Sequence, residues 1–407
     1  MKNTIMVIPG TSAQISLIKK LKQLGYEVLC INPQENSPAF KYADKYEIGD
    51  ILDKDFCLKK AEQYSVIAVM SDECDIAMPT VSYVSEVLSL PTIGNSLTEL
   101  YTNKFLMREF SKEMGFPYPR YCKCKCIEDA YSFFLSIDNK KMVMKPLDSN
   151  SSRGVFTIQK IEDIESYFDK SISFSKAEDA IICEEYIEGT EFTVDGLVLN
   201  NKHYSLAISK KKHYQHNSNI AYELFFSSND PIYDYDLLRE QNDKYVEKSK
   251  LPFGFTHAEY KYDGEKYVLI EIGARGGGNF ISSHIVPELL QIDNYKLLIE
   301  SILQKKTKDY NLNINYENTS KCAVLHFFDI DRNNGKVVGI RGEEYLHAIT
   351  EIKKYEFRFK LGDTISKAEN DSARVGFYIA VAETRERLEE IINIISQKVH
   401  IELEEII

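Results

Sequence analysis

Between Thr256 and Asn279 the chain reads THAEYKYDGEKYVLIEIGARGGGN: two strand-like runs rich in β-branched and aromatic residues, a turn at Asp263-Gly264, then Arg275 and three glycines. Each run carries one carboxylate, Glu259 in the first and Glu271 in the second. A carboxylate in a buried strand is costly unless a cation meets it, and a hard divalent ion bridging phosphate oxygens is such a partner. Parity then constrains the fold. A two-residue turn at Asp263-Gly264 opposes Glu259 to Val268 and sends Glu271 to the other face. A three-residue loop, Gly264 to Lys266, or an equivalent bulge sets Glu259 directly opposite Glu271, and this is the arrangement we expect. The competing reading is an amphipathic hairpin whose glutamates sit on a wet face.

A chain of 407 residues exceeds one typical core, which predicts two or three domains. Lys and Arg number 50 against 62 Asp and Glu, a net charge of −12, and no basic tract is long enough to follow a phosphate backbone. Nucleic acid is therefore not an expected partner, although a local basic pocket for a nucleotide is compatible with this balance. No apolar run reaches bilayer length and the N-terminus lacks a signal-peptide pattern, so the expected location is the cytoplasm, without a membrane partner. The eight cysteines show no zinc-ribbon spacing. Cys122, Cys124 and Cys126 alternate with lysines and are expected as buried thiols on one face of a strand.

The first hundred residues alternate short apolar runs with helical spacings, such as Ile15, Ile18, Leu21 and Leu24 before Gly25. This predicts an open parallel sheet with helices on both faces. Pro9-Gly10-Thr11-Ser12-Ala13 supplies one glycine where a dinucleotide fingerprint needs three, so this part is expected to be scaffold and substrate wall. Residues 97–114 read as an amphipathic helix containing Asn103-Lys104. Next come a strand carrying Lys145, a loop of small hydroxyl residues over 148–154, and a second strand. Such a loop exposes consecutive backbone N–H groups suited to phosphate oxygens. Residues 210–231 lose periodicity and read as an irregular functional loop, with His213 and His216 as neutral structural histidines. The last hundred residues read as a packing and lid unit with Arg374 its notable charge.

The order of these features, a linker-helix lysine, a strand lysine with a Ser/Gly loop, the run Glu184-Glu185-Tyr186-Ile187-Glu188-Gly189-Thr190-Glu191, and a glutamate hairpin ending in Arg275-Gly276-Gly277-Gly278, resembles the ATP-grasp superfamily. Within it, the chain is similar to the carboxylate–amine ligases that include bacterial L-amino-acid (dipeptide) ligases. The resemblance implies mixed α/β and α+β architecture. A Rossmann-like pre-ATP-grasp domain would span residues 1–95, an ATP-grasp domain of two lobes closing on ATP 96–308, and an α+β lid domain 309–407. It implies that Lys104 and Lys145 meet ATP phosphates, that Ser151, Ser152 and Gly154 belong to the closing loop, and that Glu184, Glu185, Tyr186 and Ile187 meet adenine. Glu191 would hold the ribose, Glu259 and Glu271 would bind Mg2+ or Mn2+, and Arg275, Lys145 and His257 would serve catalysis. Many grasp enzymes carry an Asn where this chain has Gly273, which leaves a third side-chain metal ligand open.

The implied reaction joins a carboxylate to an amine through an acyl phosphate, releasing ADP and phosphate, with an amino acid as one of its small-molecule substrates. Phosphoryl transfer needs metal ions and fixed cations more than a protein nucleophile, and no Ser-His-Asp or Cys-His arrangement stands out in the chain. A homodimer is compatible with the sequence. The alternatives are a carboxylase-type or purine-biosynthetic ATP-grasp enzyme, or a nucleotide-binding module without catalysis.

Overall fold

Thr4–Val7 (β1) is buried at all four positions, as a strand covered by helices on both faces requires. The computed structural model describes residues 3–405 apart from 139, 177, 305–311, 313, 315 and 317–319. Strand β1 lies parallel to Glu27–Asn32 (β2) and, beyond Lys45–Ile48 (β3), to Val66–Met70 (β4), in the order β3-β2-β1-β4. Helices Ile15–Gln23, Lys54–Gln63 and Met78–Val87 supply the intervening crossovers and cover. The order reverses direction between β1 and β4. The segment after β4, carrying Asp72, Glu73 and Asp75, therefore leaves the sheet at its carboxyl edge beside that switch point, where open α/β sheets form a crevice.

Four antiparallel strands follow: Tyr121–Cys124 (β5), Met142–Pro146 (β6), Phe156–Ile158 (β7) and Ile181–Glu185 (β8), ordered β5-β8-β6-β7. Their core is formed with Phe133, Phe134, Ile164 and Phe168 of helices Ile127–Ser136 and Ile161–Ile172. The strand expected through Cys126 stops at Cys124. Cys124 is buried, Cys122 half-buried, and Cys126 is exposed as the residue capping the next helix.

The remaining strands are Thr190–Leu199 (β9), Lys202–His213 (β10), Ala221–Ser227 (β11), Gly254–Tyr262 (β12), Tyr267–Gly273 (β13), Cys322–Phe327 (β14), Asn334–Arg341 (β15), Ile352–Phe357 (β16), Thr364–Ser366 (β17), Gly376–Ala382 (β18) and His400–Glu404 (β19). One eight-stranded sheet runs β13-β12-β9-β10-β11-β14-β18-β16, and a small sheet runs β17-β15-β19. Glu223–Phe226 of β11 pairs with Ala323–His326 of β14, so backbone hydrogen bonds carry the glutamate hairpin's sheet into the C-terminal part. The boundary expected at residues 308 and 309 lies outside the described residues.

Two expectations need correction. Residues 210–231 are irregular only in part: 210–213 complete β10 and 221–227 form β11, while 214–220 and 228–231 lie outside the strands, and the alternation is hidden because Lys210, Lys211 and Lys212 occupy both faces of the strand. The helix over 97–114 is two, Asn95–Leu100 and Lys104–Met114. Asn103 breaks it by capping the second, accepting from Phe105 N at 3.0 Å and Leu106 N at 3.3 Å. Lys104 thus opens a helix. In the C-terminal part, Asp371 and Arg374 reach the cavity described below.

Candidate active site

The hairpin meets its parity demand through a bulge. Tyr262 pairs with Tyr267 across a four-residue loop, in which Asp263 Oδ1 accepts from Glu265 N at 3.0 Å and Lys266 N at 2.9 Å. This Asx-type turn replaces the expected three-residue loop. Farther along, Tyr260 pairs with Leu269 but Glu259 pairs with Glu271, leaving Ile270 as the extra residue. The Ile270 carbonyl accepts from Arg108, so a buried guanidinium occupies the irregularity.

Both glutamates are met by cations. Lys104 Nζ lies 2.8 Å from Glu271 Oε1 and donates to the Ser149 carbonyl at 2.7 Å, tying the head of the Ser/Gly loop to the hairpin. Lys211 Nζ bridges Glu259 at 2.8 Å and Glu191 at 2.6 Å, and His213 approaches Glu191 at 3.3 Å. Burial opposes ionisation of Glu259, but Lys211 and His257 overcome it and hold its pKa well below the usual carboxylate range. Glu191, buried beside Lys211 and His213, is brought down to about 2. His257 Nδ1 donates to Asp195 Oδ1 (2.9 Å), with its other nitrogen 3.8 Å from Glu259. Burial would lower its pKa, and Asp195 turns the balance upward.

Lys145 belongs to a buried triad. Glu184 receives Lys145 at 2.7 Å on one oxygen and Arg108 at 2.7 Å on the other, and Arg108 has no exposed surface. With both oxygens engaged, the Glu184 side chain positions Lys145 while still lining the smaller cavity. Arg108 escaped the sequence reading, although it lies four residues after Lys104 and so on the same helix face. Lys211 and Asp195 were hidden in strands whose alternation was not resolved, and Asp75 lies two hundred residues from its partner.

That partner is Arg275, bound at two points by Asp75. The neighbouring backbone is equally crowded. A Cβ on Gly276 would lie 2.4 Å from Asp72 Oδ1, and one on Gly277 2.3 Å from Asp195 Oδ1 and 2.8 Å from His257 Nδ1. At Gly273 a Cβ would meet Asp75 Oδ1 at 2.8 Å and Arg275 Nε at 3.3 Å, so an Asn there would disturb the Asp75–Arg275 pair.

The Ser/Gly loop lies against the C-terminal part. Ser151 and Ser152 both adopt left-handed backbone (φ 59° and 58°), Ser152 Oγ donates to Asp371 at 3.0 Å, and Asp371 N donates to the Ser151 carbonyl at 3.3 Å. Gly154 follows at φ 73°, packed against Pro146 and Phe174 where no Cβ fits. Arg374 holds Asp371 at 2.7 Å and the Ala221 carbonyl at 2.6 Å.

Two adjoining cavities result. Lys104, Lys145, Glu184, Glu185, Tyr186 and Ile187 line the smaller one; Tyr186 is flanked by Lys141 and Lys261, 3.6 and 4.2 Å from its ring centre. His257, Arg275, Ser151 and Arg374 line the larger. Ser152, Glu191, Glu259 and Glu271 line both, so the two spaces meet at the paired glutamates. Among the described residues no group of three His, Cys, Asp or Glu is arranged to hold a metal ion. The opposed Glu259 and Glu271 fit a hard divalent ion that takes its other oxygens from phosphate and water.

Residues 139–284 match the ATP-grasp domain, and residues 327–404 match the L-amino acid ligase C-terminal domain 2. Over 318 residues, 74% of this chain and 74% of the relative, the sequence is 23% identical to dapdiamide A synthase of Enterobacter agglomerans. The L-amino acid ligase of Bacillus licheniformis superposes with a TM-score of 0.81 at 18% identity, covering 100% of this chain and 99% of that one. The biotin carboxylase domain of the Hydrogenobacter thermophilus 2-oxoglutarate carboxylase, solved with MgADP and bicarbonate, superposes with a TM-score of 0.74 at 14% identity, covering 99% and 91%. At these identities the structural likeness establishes the fold. Among the described residues no helix is long and apolar enough to cross a membrane.

Proposed function

This chain carries an ATP-grasp domain followed by an L-amino-acid ligase C-terminal domain, and from that premise we propose that it is an ATP-dependent carboxylate–amine ligase forming an amide bond, with an amino acid as one substrate. The observation that carries the reading is the meeting of the two cavities at Glu259 and Glu271. A nucleotide in the smaller space would direct its terminal phosphate toward whatever occupies the larger. We assign residues 1–95, 96–308 and 309–407 as the parts that, respectively, wall the substrate space, hold the nucleotide, and close the far side.

In this scheme a carboxylate oxygen attacks the γ-phosphorus and ADP leaves; the amine then attacks the acyl carbon, phosphate leaves, and the amine loses a proton. Glu259 and Glu271 would hold a divalent ion, which would supply neutralisation of the charge developing on the phosphate oxygens. Lys104 and Lys145 add fixed positive charge, the latter held in place by Glu184 and Arg108. Tyr186 and the backbone of Glu185 and Ile187 border the base, and Glu191 the ribose. Arg275, oriented by Asp75, stabilises the transferred phosphoryl group, and His257, whose protonated form Asp195 favours, offers a donor to the acyl oxygen. Ser151 and Ser152, docked on Asp371, exclude water from an acyl phosphate that would otherwise hydrolyse.

The C-terminal match favours an amine over bicarbonate as the second substrate. The experiment is ATP consumption with Mg2+ and the twenty amino acids offered singly and in pairs, with the nucleotide product identified. ADP and phosphate appearing only with particular amino acids supports the ligase reading. AMP as product, or turnover with bicarbonate alone, sinks it.

A further inference from the structure

Six carboxylates line the larger cavity: Glu73, Asp75, Glu191, Glu259, Glu271 and Asp371. Five are matched by a cation, Asp75 by Arg275, Glu191 and Glu259 by Lys211, Glu271 by Lys104 and Asp371 by Arg374. Glu73 forms no ion pair among the described residues. Its Oε2 accepts from Phe280 N at 3.1 Å, while its Oε1 is buried with no hydrogen-bond partner. A buried, unpaired carboxylate oxygen is expensive, and such atoms mark places where a partner is missing.

The side chain is also held where it is. Glu73 adopts left-handed backbone (φ 54°), a conformation unfavourable for a residue with a side chain. It is fastened by Asp72, which accepts from Glu73 N at 2.9 Å, Gly276 N at 3.1 Å and Tyr295 OH at 2.5 Å. Contacts from the ATP-grasp part thus shape this loop of the N-terminal part. Two residues on, Asp75 grips Arg275, the group assigned above to the transferred phosphoryl, which becomes bonded to the activated carboxylate. In an α-amino acid the ammonium nitrogen is two bonds from the carboxyl carbon, so a receptor for it must stand beside the residue that handles the carboxylate. Among the lining residues, the one other buried polar atom without a hydrogen-bond partner is Arg374 Nε, of opposite charge and from the C-terminal part.

We propose that Glu73 is a specificity residue of this site, binding the α-ammonium of the acid activated there and so selecting α-amino acids over acids lacking the amino group. The assignment rests on the ligase reading. Left unpaired, Glu73 favours its proton, since burial and the neighbouring Asp72 both raise its pKa; an ammonium would hold it ionised.

The test uses full-length protein with Mg-ATP and hydroxylamine as the amine, so that only the activated acid varies. ADP release is measured for each of the twenty amino acids and for its desamino counterpart, propionate standing for alanine and isovalerate for valine. The wild type is expected to prefer at least one amino acid over its counterpart in kcat/KM, and Glu73→Gln to reduce that ratio at least tenfold through KM, with Mg-ATP still protecting the variant against heat. A merely structural role lowers both substrates together and leaves the ratio unchanged, which overturns the assignment. If Glu73→Gln does not fold, the wild type decides: equal kcat/KM for acid and desamino acid overturns the proposal, and a preference of tenfold or more that Glu73→Asp reduces supports it. Wild-type protein that releases no ADP with any acid sinks the ligase reading and this proposal with it, whereas turnover with an unchanged ratio sinks this proposal alone.

Discussion

Asp75 and Arg275, 200 positions apart in the chain, form a two-point ion pair, Nε to Oδ1 at 2.9 Å and Nη2 to Oδ2 at 2.7 Å. The carboxylate leaves the N-terminal parallel sheet and the guanidinium follows the glutamate hairpin, so the pair locks the two parts together at the cavity wall. Burial alone would discourage charge on either group. Arg275 nonetheless draws Asp75 below its ordinary pKa, and Asp75 raises that of Arg275 in turn. A planar guanidinium held at two points is preorganised for the charge that develops on a transferred phosphoryl group.

Arg275→Ala is therefore expected to abolish turnover, by a factor of about a hundred or more, while sparing Mg-ATP binding. Asp75→Asn keeps the shape but frees the guanidinium, and should lower kcat about tenfold with little change in the KM for ATP. Steady-state kinetics with nucleotide binding measured separately checks both. An Arg275→Ala protein with unchanged turnover would remove this residue from the chemistry.

Glu271→Gln is expected to eliminate metal-dependent turnover, because the hairpin would keep one carboxylate where the divalent ion needs two. ADP release titrated with Mg2+ and with Mn2+ decides it. Retention of the wild-type metal dependence means that the ion is held elsewhere.

The glycine run makes an internal comparison possible. Gly277→Ala places a methyl 2.3 Å from Asp195 Oδ1, whereas a Cβ on Gly278 meets nothing within 4 Å. Gly277→Ala should destabilise by about 1–3 kcal/mol as the Asp195–His257 pair is forced apart, and Gly278→Ala should stay within about 0.5 kcal/mol of wild type. Urea unfolding of the two variants measures the difference, and equal losses would contradict the packing described.

Acid should act through Glu191. Its pKa in the fold, about 2, lies below the ordinary 4.5, so its contribution to stability is complete above pH 4.5 and declines as the pH falls toward 2. The stability difference between wild type and Glu191→Gln is expected to be constant from pH 7 to 5 and to shrink between pH 4.5 and 2.5. A difference that grows on acidification reverses the sign of this linkage.

Much of the site was legible in the chain. Lys145, Glu259, Glu271 and Arg275 were recognisable because each sits in a local pattern of strand, turn and glycine, Lys104 because it lies in a helical pattern, and the parity of the hairpin demanded a correction that the bulge at Ile270 supplies. The side-chain destination of Glu184 was not legible. Its two cations come from a helix and a neighbouring strand, and β-alternation says which face a residue occupies without saying what awaits it there.

What the sequence determined by itself is what depends on neighbours within a turn or a strand: the periodicities, the turn that begins at Asp263, and the opposition of two glutamates. Only the tertiary structure decided which charges meet. Asp75 with Arg275, Arg108 with Glu184 and Ser152 with Asp371 are joined across 200, 76 and 219 positions. The physical reason is that a buried charge must be neutralised by whatever group the packed elements bring within a few ångströms, and electrostatic attraction depends on distance in space, which one-dimensional order does not encode.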